Sequence, residues 1–124
     1  WSRQAGVPVE VRVRGERPLP LEMEQNLFRI AQEALANASR HSQANHVEIL
    51  LTLDRHEIVL AVSDDGRGFD VEGKHEGVGL QSMRERAQSL GGALSIESAP
   101  GRGTRVACLV PLDASEAGEE GNVQ

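Results

Sequence analysis

The chain has 124 residues, 39% of them hydrophobic, which is enough for one domain with a buried core. Its 13 basic and 19 acidic residues give a formal charge of −6, and four of the acids lie in residues 113–124, which contain no base. With no basic excess and three aromatic residues (Trp1, Phe28 and Phe69), the composition disfavours nucleic-acid binding. A single cysteine, Cys108, excludes an internal disulfide and a cysteine-rich zinc site. No apolar run reaches the length of about 20 residues that spans a bilayer.

The chain ends suggest how it is organised. It begins with Trp1 rather than methionine, so we expect a piece of a longer protein. Residues 1–112 are expected to form one domain. Residues 113–124 are polar and acidic, and we expect them to form a disordered tail or the start of a linker.

Hydrophobic periodicity predicts five strands and two helices. In chain order they are a strand at 7–14, a helix at about 21–40, strands at 47–53 and 58–62, a helix at about 80–90, and strands around 94–96 and 106–110. Gly91-Gly92 is expected to end the second helix. Consecutive strands favour antiparallel pairing, and two amphipathic helices need a sheet face to cover. The predicted fold class is therefore α/β, a two-layer sandwich with a mixed, mostly antiparallel sheet and both helices on one face.

Polar residues of the first helix form the first candidate site. Glu33, Asn37, Arg40 and His41 follow one stripe that flanks the apolar face. A carboxylate and an amide oxygen one turn apart suit a hard cation such as Mg²⁺, and Arg40 and His41 could contact phosphate oxygens. The alternative is a solvated helix flank.

A second candidate site follows the apolar strand at 58–62. Asp64, Gly66 and Gly68 come directly after it, where the glycines let the backbone approach a ligand closely. A carboxylate there would accept a hydrogen bond from an exocyclic amine and repel phosphate, so it would face a base. The alternative is a glycine-rich turn with a solvated acid pair.

Two further glycine motifs are weaker alone. Gly77 and Gly79 open the second helix before Leu80, where free backbone N–H groups can face an anion, although a hinge is the commoner explanation. Residues 101–104 have the composition of a hairpin turn, with Thr104 as an additional donor.

In this order the four segments resemble the nucleotide-binding motifs of sensor histidine kinases. Residues 33–41 resemble the N box, 64–69 the G1 box, 77–80 the G2 box and 101–104 the late Gly-Thr element. The resemblance covers roughly residues 20–112, and it implies the Bergerat ATP-binding fold. The second helix is similar to that of the nitrate-sensor and membrane-fluidity-sensor subgroup, which implies a small ATP lid.

The resemblance also implies a role for each candidate at the phosphate end. Asn37 would ligate the Mg²⁺ that bridges the ATP phosphates. Glu33 would order a metal-bound water or polarise the reacting groups, so these two residues are the catalytic candidates. Arg40 and His41 would contact phosphates.

At the adenine end, the resemblance implies that Asp64 hydrogen-bonds the adenine amino group, with Gly66 and Gly68 permitting close approach. Thr104 would support the adenine. The G2 box, with residues Gly77, Gly79 and Leu80, would hinge the lid over residues 70–76 and offer backbone N–H groups to phosphate.

The implied function is that of a histidine kinase catalytic domain that binds ATP with Mg²⁺. It would transfer the γ-phosphoryl group to a histidine on a separate dimerisation and phosphoacceptor domain of the same cytoplasmic or membrane-anchored parent. The implied downstream partner is a LuxR-type response regulator, and the parent would be a homodimer while the isolated domain is a monomer. Alternatives are an anti-sigma-factor-type serine kinase, a GHL-type ATPase, and a non-catalytic ATP-binding interaction module.

Overall fold

A computed structural model describes residues 3–4, 7–41, 45–66 and 80–112 of the chain. Its elements, in chain order, are β1 (Arg3–Gln4), β2 (Val7–Arg14), α1 (Leu21–His41), β3 (Val47–Leu53), β4 (Glu57–Asp64), α2 (Leu80–Ser89), β5 (Ala93–Ser98) and β6 (Thr104–Pro111). The predicted succession of five strands and two helices is confirmed. The sequence does not predict β1, because two residues are too few to show an alternating pattern. The predicted lid at 70–76 and the acidic tail at 113–124 lie outside the described residues.

The strands form one mixed sheet in the order β1-β2-β3-β4-β6-β5. Among the described strands, β2 and β3 pair in parallel and every other pair is antiparallel. The parallel pair is possible because α1 lies between the two strands and provides the crossover that a parallel connection needs. The predicted mixed, mostly antiparallel sheet is therefore confirmed.

Both helices pack on one face of the sheet, as predicted. The strand residues that face them alternate along the chain and match across the register, so that Val62 lies opposite Ile49 on one side and Val106 on the other. Each large aliphatic side chain buried there contributes about 1.5–3 kcal/mol. The core contains, among others, Leu27, Ile30, Ala34, Leu35, Ala38, Val47, Ile49, Ile58, Leu60, Val62, Leu80, Met83, Ala87, Val106, Cys108 and Val110.

The first predicted strand is less buried than its alternation suggests. Val9 is 5% exposed, whereas Val11 and Val13 on the same face are 52% and 58% exposed. β1 pairs only with Val7 and Pro8, so the second half of β2 is an edge of the described sheet. Alternation identifies the inward face of a strand, but it does not show how far the helices extend over that face.

The end of α2 is tightly joined to the sheet. Gly91 has a φ of 79° and donates its N–H to Gln88 O at 2.9 Å, while Gly92 N–H donates to Ala87 O at 2.9 Å. This pair of bonds is a Schellman motif, which ends a helix and turns the chain sharply. The predicted stop at Gly91-Gly92 is confirmed, and it leads directly into β5.

The opposite face of the sheet carries charged side chains. The guanidinium of Arg12 lies 2.9 Å from a carboxylate oxygen of Glu10 and 3.5 Å from one of Glu48, and all three side chains are substantially exposed. Exposed pairs of this kind contribute little to stability. Within the described ranges, no helix is both long enough and apolar enough to cross a membrane.

Candidate functional site

Three polar side chains form a row at one end of the sheet. The register pairs Ser98 of β5 with Thr104 of β6, and Thr104 with Asp64 of β4. All three therefore belong to the face that the helices cover, and two residues further along β6 that face already carries the core residue Val106. We call Ser98, Thr104 and Asp64 the polar row. It places a carboxylate and two hydroxyls where the apolar core ends.

The backbone around Asp64 is held closely. Its Oδ1 atom accepts a hydrogen bond from Gly66 N at 2.8 Å, which turns the chain immediately after β4. Gly103, with a φ of 77°, packs against the Asp64 carbonyl oxygen so tightly that a Cβ atom at Gly103 would overlap it. Glycine at position 103 thus permits the β5–β6 turn to lie directly beside the end of β4.

The neighbouring acid, Asp65, has a different role. Its Oδ1 atom accepts hydrogen bonds from Asn45 N at 2.8 Å and His46 N at 3.0 Å, and its own N–H donates to His46 O at 3.4 Å. These bonds fasten the chain where it enters β3. Asp64 therefore belongs to the polar row, whereas Asp65 holds the backbone at the start of β3.

Ser98 is a member of the polar row that the sequence analysis does not single out. Its Oγ atom lies 3.0 Å from Gly103 O and 2.8 Å from Thr104 Oγ1. The signal was present in the alternation of Leu94, Ile96 and Ser98, which places all three on one face of β5. A serine at the end of a strand reads as solvent-facing until its cross-strand partner is known.

The other candidate residues belong to the C-terminal half of α1. Glu33 and Asn37 are half-buried beside Ala34 and Ala38, which are 4% and 3% exposed, so they flank the packed face as predicted. The helix ends at His41, and the chain re-enters the sheet at Val47, which pairs with Asp64. This end of α1 therefore lies at the same end of the sheet as the polar row.

The structure describes some of the predicted site residues and leaves others outside the described ranges. Arg40 and His41 lie in the last turn of α1, and their side chains are outside the described part of the structure. Gly68, Gly77 and Gly79 are also outside the described residues. Leu80 begins α2 and is 3% exposed, so its side chain belongs to the core and only its backbone remains to face a ligand.

Cys108 lies in the core between the two ends of the sheet. Its side chain is fully buried, and burial raises the pKa of the thiol from 9.0 to about 11 because the thiolate would lose its hydration. The residue is therefore a neutral, unreactive thiol at physiological pH.

A groove of about 570 Å³ lies between α1 and α2, away from the polar row. The groove is lined by Gln25, Asn26, Phe28, Arg29, Gln32 and Arg86. All of its α1 residues precede Glu33, and none of the predicted site residues lines it. The groove is therefore separate from the candidate nucleotide site.

The fold and the motif order agree with a known family. Residues 22–114 match the family model described as "Histidine kinase-, DNA gyrase B-, and HSP90-like ATPase". The match covers well over half of the chain. The chain therefore belongs to this family. Every candidate residue, including those outside the described ranges, falls within the matched segment.

Within the family, the chain is similar to the ATP-binding part of sensor histidine kinases. It is 42% identical over 98 residues to sensor histidine kinase LiaS of Bacillus subtilis, which is 78% of this chain and 27% of LiaS. It is 42% identical over 117 residues to sensor histidine kinase ComP of the same species, covering 90% of this chain and 15% of ComP. It is 40% identical to sensor protein VraS of Staphylococcus epidermidis, covering 79% of this chain and 28% of VraS. The predicted resemblance to sensor histidine kinases is confirmed, and the chain spans less than a third of the length of each of these relatives.

Solved structures support the fold. A blue-light activated histidine kinase from Erythrobacter litoralis EL346 matches with a TM-score of 0.66 and 26% identity, over 92% of this chain and 37% of that one. The histidine kinase domain of the same protein also gives a TM-score of 0.66, with 24% identity, over 88% of this chain and 54% of that chain. The predicted Bergerat-type architecture is confirmed by these neighbours.

Proposed function

We propose that this chain is the catalytic, ATP-binding domain of a sensor histidine kinase. It binds ATP with Mg²⁺ and donates the γ-phosphoryl group to a histidine on a separate dimerisation and phosphoacceptor domain of its parent protein. The observation that carries this proposal is the position of Asp64, which stands in the polar row at the end of β4 within a segment that matches the family. We take residues 1–112 as the domain and residues 113–124 as an acidic tail.

The polar row suits the adenine end of the nucleotide. The carboxylate of Asp64 is an acceptor at the rim of an apolar core, so it can accept a hydrogen bond from the exocyclic amine of adenine while the ring packs on apolar atoms. Its charge would repel phosphate, which places the phosphates on the other side of the site. Gly66 and Gly68 let the backbone approach the base.

The phosphate end is assigned to the C-terminal half of α1 and the start of α2. Arg40 and His41 would contact phosphate oxygens as donors. The backbone of Gly77, Gly79 and Leu80 would offer N–H groups at the positive end of α2. Positioning of this kind supplies most of what phosphoryl transfer asks of a protein.

The residues on α1 fit Mg²⁺. Glu33 and Asn37 offer hard oxygen atoms, and Mg²⁺ is usually bound through one or two such protein ligands while phosphates and waters complete its octahedron. Asn37 would hold the ion directly and Glu33 through a water. When bound, Mg²⁺ neutralises charge on the phosphates.

The transfer itself needs an acceptor from outside this chain. A nitrogen atom of the acceptor imidazole attacks the γ-phosphorus, the bond from that phosphorus to the β,γ-bridging oxygen breaks, and ADP leaves with the electron pair. Glu33 would polarise the reacting groups or orient a metal-bound water. The attacking nitrogen uses its lone pair, and the proton on the other ring nitrogen is then released to water, which leaves a neutral phosphorylated imidazole.

The wider assignment follows from the same proposal. The parent would work as a homodimer that presents its phosphohistidine to a LuxR-type response regulator, while the isolated domain is a monomer. The domain would act in the cytoplasm, whether or not the parent is anchored in a membrane. An anti-sigma-factor-type serine kinase, a GHL-type ATPase and a non-catalytic nucleotide-binding module are the competing functions.

Calorimetric titration with a non-hydrolysable ATP analogue tests the base assignment. Asp64→Ala should weaken binding by roughly tenfold to a hundredfold, because a hydrogen bond to a charged group contributes about 1.5–3 kcal/mol. Asp54→Ala is the matched control, since Asp54 Oδ1 accepts an equivalent bond from His56 N at 2.9 Å at the other end of the sheet. Unchanged binding in Asp64→Ala would overturn the site assignment.

A second pair of variants tests the metal assignment. Removing Mg²⁺ should weaken binding of the analogue to the unaltered chain, and Asn37→Ala should abolish most of that dependence. Asn26→Ala is the control, because Asn26 is on the same helix but bonds Arg86 at 3.1 Å in the separate groove. A full Mg²⁺ dependence in Asn37→Ala would contradict the assignment.

Transfer from labelled ATP to a separately supplied acceptor domain distinguishes the competing functions. Acid-labile, base-stable label on the acceptor histidine supports the histidine kinase. Label on serine supports the serine kinase, and release of phosphate without transfer supports an ATPase. Binding without any chemistry supports the interaction module.

A further inference from the structure

We propose that Ser98 is a positioning residue that fixes the direction of the Thr104 hydroxyl and thereby makes the polar row selective for adenine over guanine. The inference rests on the proposed function and deepens it, because it concerns base recognition at the same site. Ser98 lies on β5, directly opposite Thr104 on β6, which in turn lies opposite Asp64 on β4.

The hydrogen bonds of Ser98 determine which atom gives each proton. Ser98 Oγ lies 3.0 Å from the carbonyl oxygen of Gly103, and a carbonyl oxygen can only accept. The single hydroxyl proton of Ser98 is therefore used in that bond. In the 2.8 Å contact between the two hydroxyls, Thr104 must then be the donor and Ser98 Oγ the acceptor.

The consequence is that Thr104 presents only lone pairs to any other neighbour. Thr104 and Asp64 lie opposite each other on adjacent antiparallel strands, where Cβ atoms are about 4.5–5.5 Å apart. The Asp64 carboxylate is also an acceptor. A ligand at this end of the row thus meets two acceptors side by side.

Two adjacent acceptors favour a base that presents hydrogen-bond donors to them. The exocyclic amine of adenine carries two N–H donors and matches them. Guanine has a carbonyl oxygen at the same position, which would face lone pairs and lose its own hydrogen bond to water. Without Ser98, the Thr104 hydroxyl could rotate and donate to that oxygen, so Ser98 keeps the hydroxyl in the orientation that rejects guanine.

The alternative is that Ser98 has a purely structural role, because the same two hydrogen bonds connect β5 and β6 beside the turn between them. The two roles differ in a measurable way. Loss of a structural tie would weaken the binding of adenine and guanine nucleotides by the same factor. Loss of hydroxyl orientation would change the ratio of the two dissociation constants.

The experiment measures dissociation constants for ADP and GDP, each with Mg²⁺, by calorimetry on the full chain. In Ser98→Ala the preference for ADP over GDP should fall by about fivefold, the equivalent of one net hydrogen bond. Ser98→Thr keeps a hydroxyl and should restore the preference. Ser95→Ala, an exposed serine on the opposite face of β5, should leave the preference unchanged. If Ser98→Ala does not fold, Ser98→Cys, which keeps the volume and provides only a weak acceptor, is measured in its place.

A double-mutant cycle separates action through Thr104 from any direct effect. Thr104→Val removes the hydroxyl, so adding Ser98→Ala to it should not change the preference further. An unchanged preference in Ser98→Ala, or an equal further loss in the double variant, would overturn the role of Ser98 while the proposed function stands. If the unaltered chain binds neither nucleotide, the proposed function fails, and the role of Ser98 fails with it.

Discussion

The two ends of the sheet contain similar acid turns with different surroundings. Asp54 precedes β4 and accepts a hydrogen bond from the N–H two residues later, that of His56, at 2.9 Å. Asp64 ends β4 and accepts the equivalent bond from Gly66 N at 2.8 Å. Considered alone, the two turns are nearly the same local structure, although only Asp64 is a candidate ligand.

What differs is how each end is closed. At the Asp54 end, the backbone of the turn is bonded within the chain, from Asp54 N to Glu57 O at 3.1 Å, from Leu112 N to His56 O at 2.8 Å, and from Arg17 Nη1 to Asp54 O at 3.0 Å. Among the described residues, the buried Nε atom of Arg17 is left without a hydrogen-bond partner there. At the Asp64 end, the helix-facing row consists of hydroxyl and carboxylate groups. The two acid turns have the same local hydrogen bond. Asp64 is the candidate ligand because of its neighbours on the adjacent strands.

The largest expected effect is a loss of stability when a glycine at either end of the sheet is replaced. A Cβ atom at Gly103 would overlap the carbonyl oxygen of Asp64, and one at Gly15 would overlap that of Leu53; both residues have positive φ, 77° and 86°. Gly103→Ala and Gly15→Ala should each lower the free energy of unfolding by about 2–5 kcal/mol, through backbone strain together with overpacking. Chemical denaturation measures this loss.

The two glycine variants should differ in nucleotide binding. Gly103→Ala moves the backbone of Asp64, so its folded fraction should bind ATP more weakly than the unaltered chain, whereas Gly15→Ala should bind normally once folded. Gly101→Ala is the control in the same turn, because its φ is 82° but no atom lies within 4 Å of a Cβ there. Equal nucleotide affinity in all three variants would remove the distinction between the two ends.

A smaller effect separates the adjacent acids. Asp65→Ala removes the acceptor for Asn45 N and His46 N and should lower the free energy of unfolding by about 1–2 kcal/mol. Affinity for ATP should stay close to that of the unaltered chain, the opposite of the pattern expected for Asp64→Ala. Thermal unfolding together with calorimetric titration measures both quantities. A loss of affinity in Asp65→Ala as large as that in Asp64→Ala would show that both acids face the nucleotide.

The smallest effect concerns Cys108, midway between the two ends. The folded state raises the pKa of its thiol from 9.0 to about 11, so between these values the unfolded state binds fewer protons and the free energy of unfolding falls as pH rises. From pH 8 to 9.5 this contribution should stay below about 1 kcal/mol. Urea unfolding at both pH values, with Cys108→Ala as the reference that lacks the thiol, measures it. A steeper fall with pH in Cys108→Ala than in the unaltered chain would contradict the assignment.

Much of this organisation is readable in the sequence, for physical reasons. Alternation identifies the inward faces of β3, β4 and β6 because the side-chain period of a strand is two, and helical spacing identifies the packed face of α1. The order of the four motifs predicts the family, and the register then places Asp64 beside Thr104. These features depend on local pattern and order, which a sequence states directly.

The remaining features depend on partners that are distant along the chain. Asp64 and Asp65 are equivalent in sequence, and they differ because Asp65 bonds the backbone of Asn45 and His46. Ser98 acquires its partner across a hairpin. Long-range contacts of this kind need the register, which local patterns specify only in part.

The parallel pairing of β2 with β3 has a consequence for the order of folding. Closing that pair must wait for the whole of α1, whereas the β3–β4 and β5–β6 hairpins close short loops and should form earlier. Asp64 belongs to the first hairpin, and Thr104 and Ser98 belong to the second. The polar row therefore exists only after the two hairpins have joined through β4 and β6, so a nucleotide bound there would recognise the assembled sheet and stabilise it against partly folded forms.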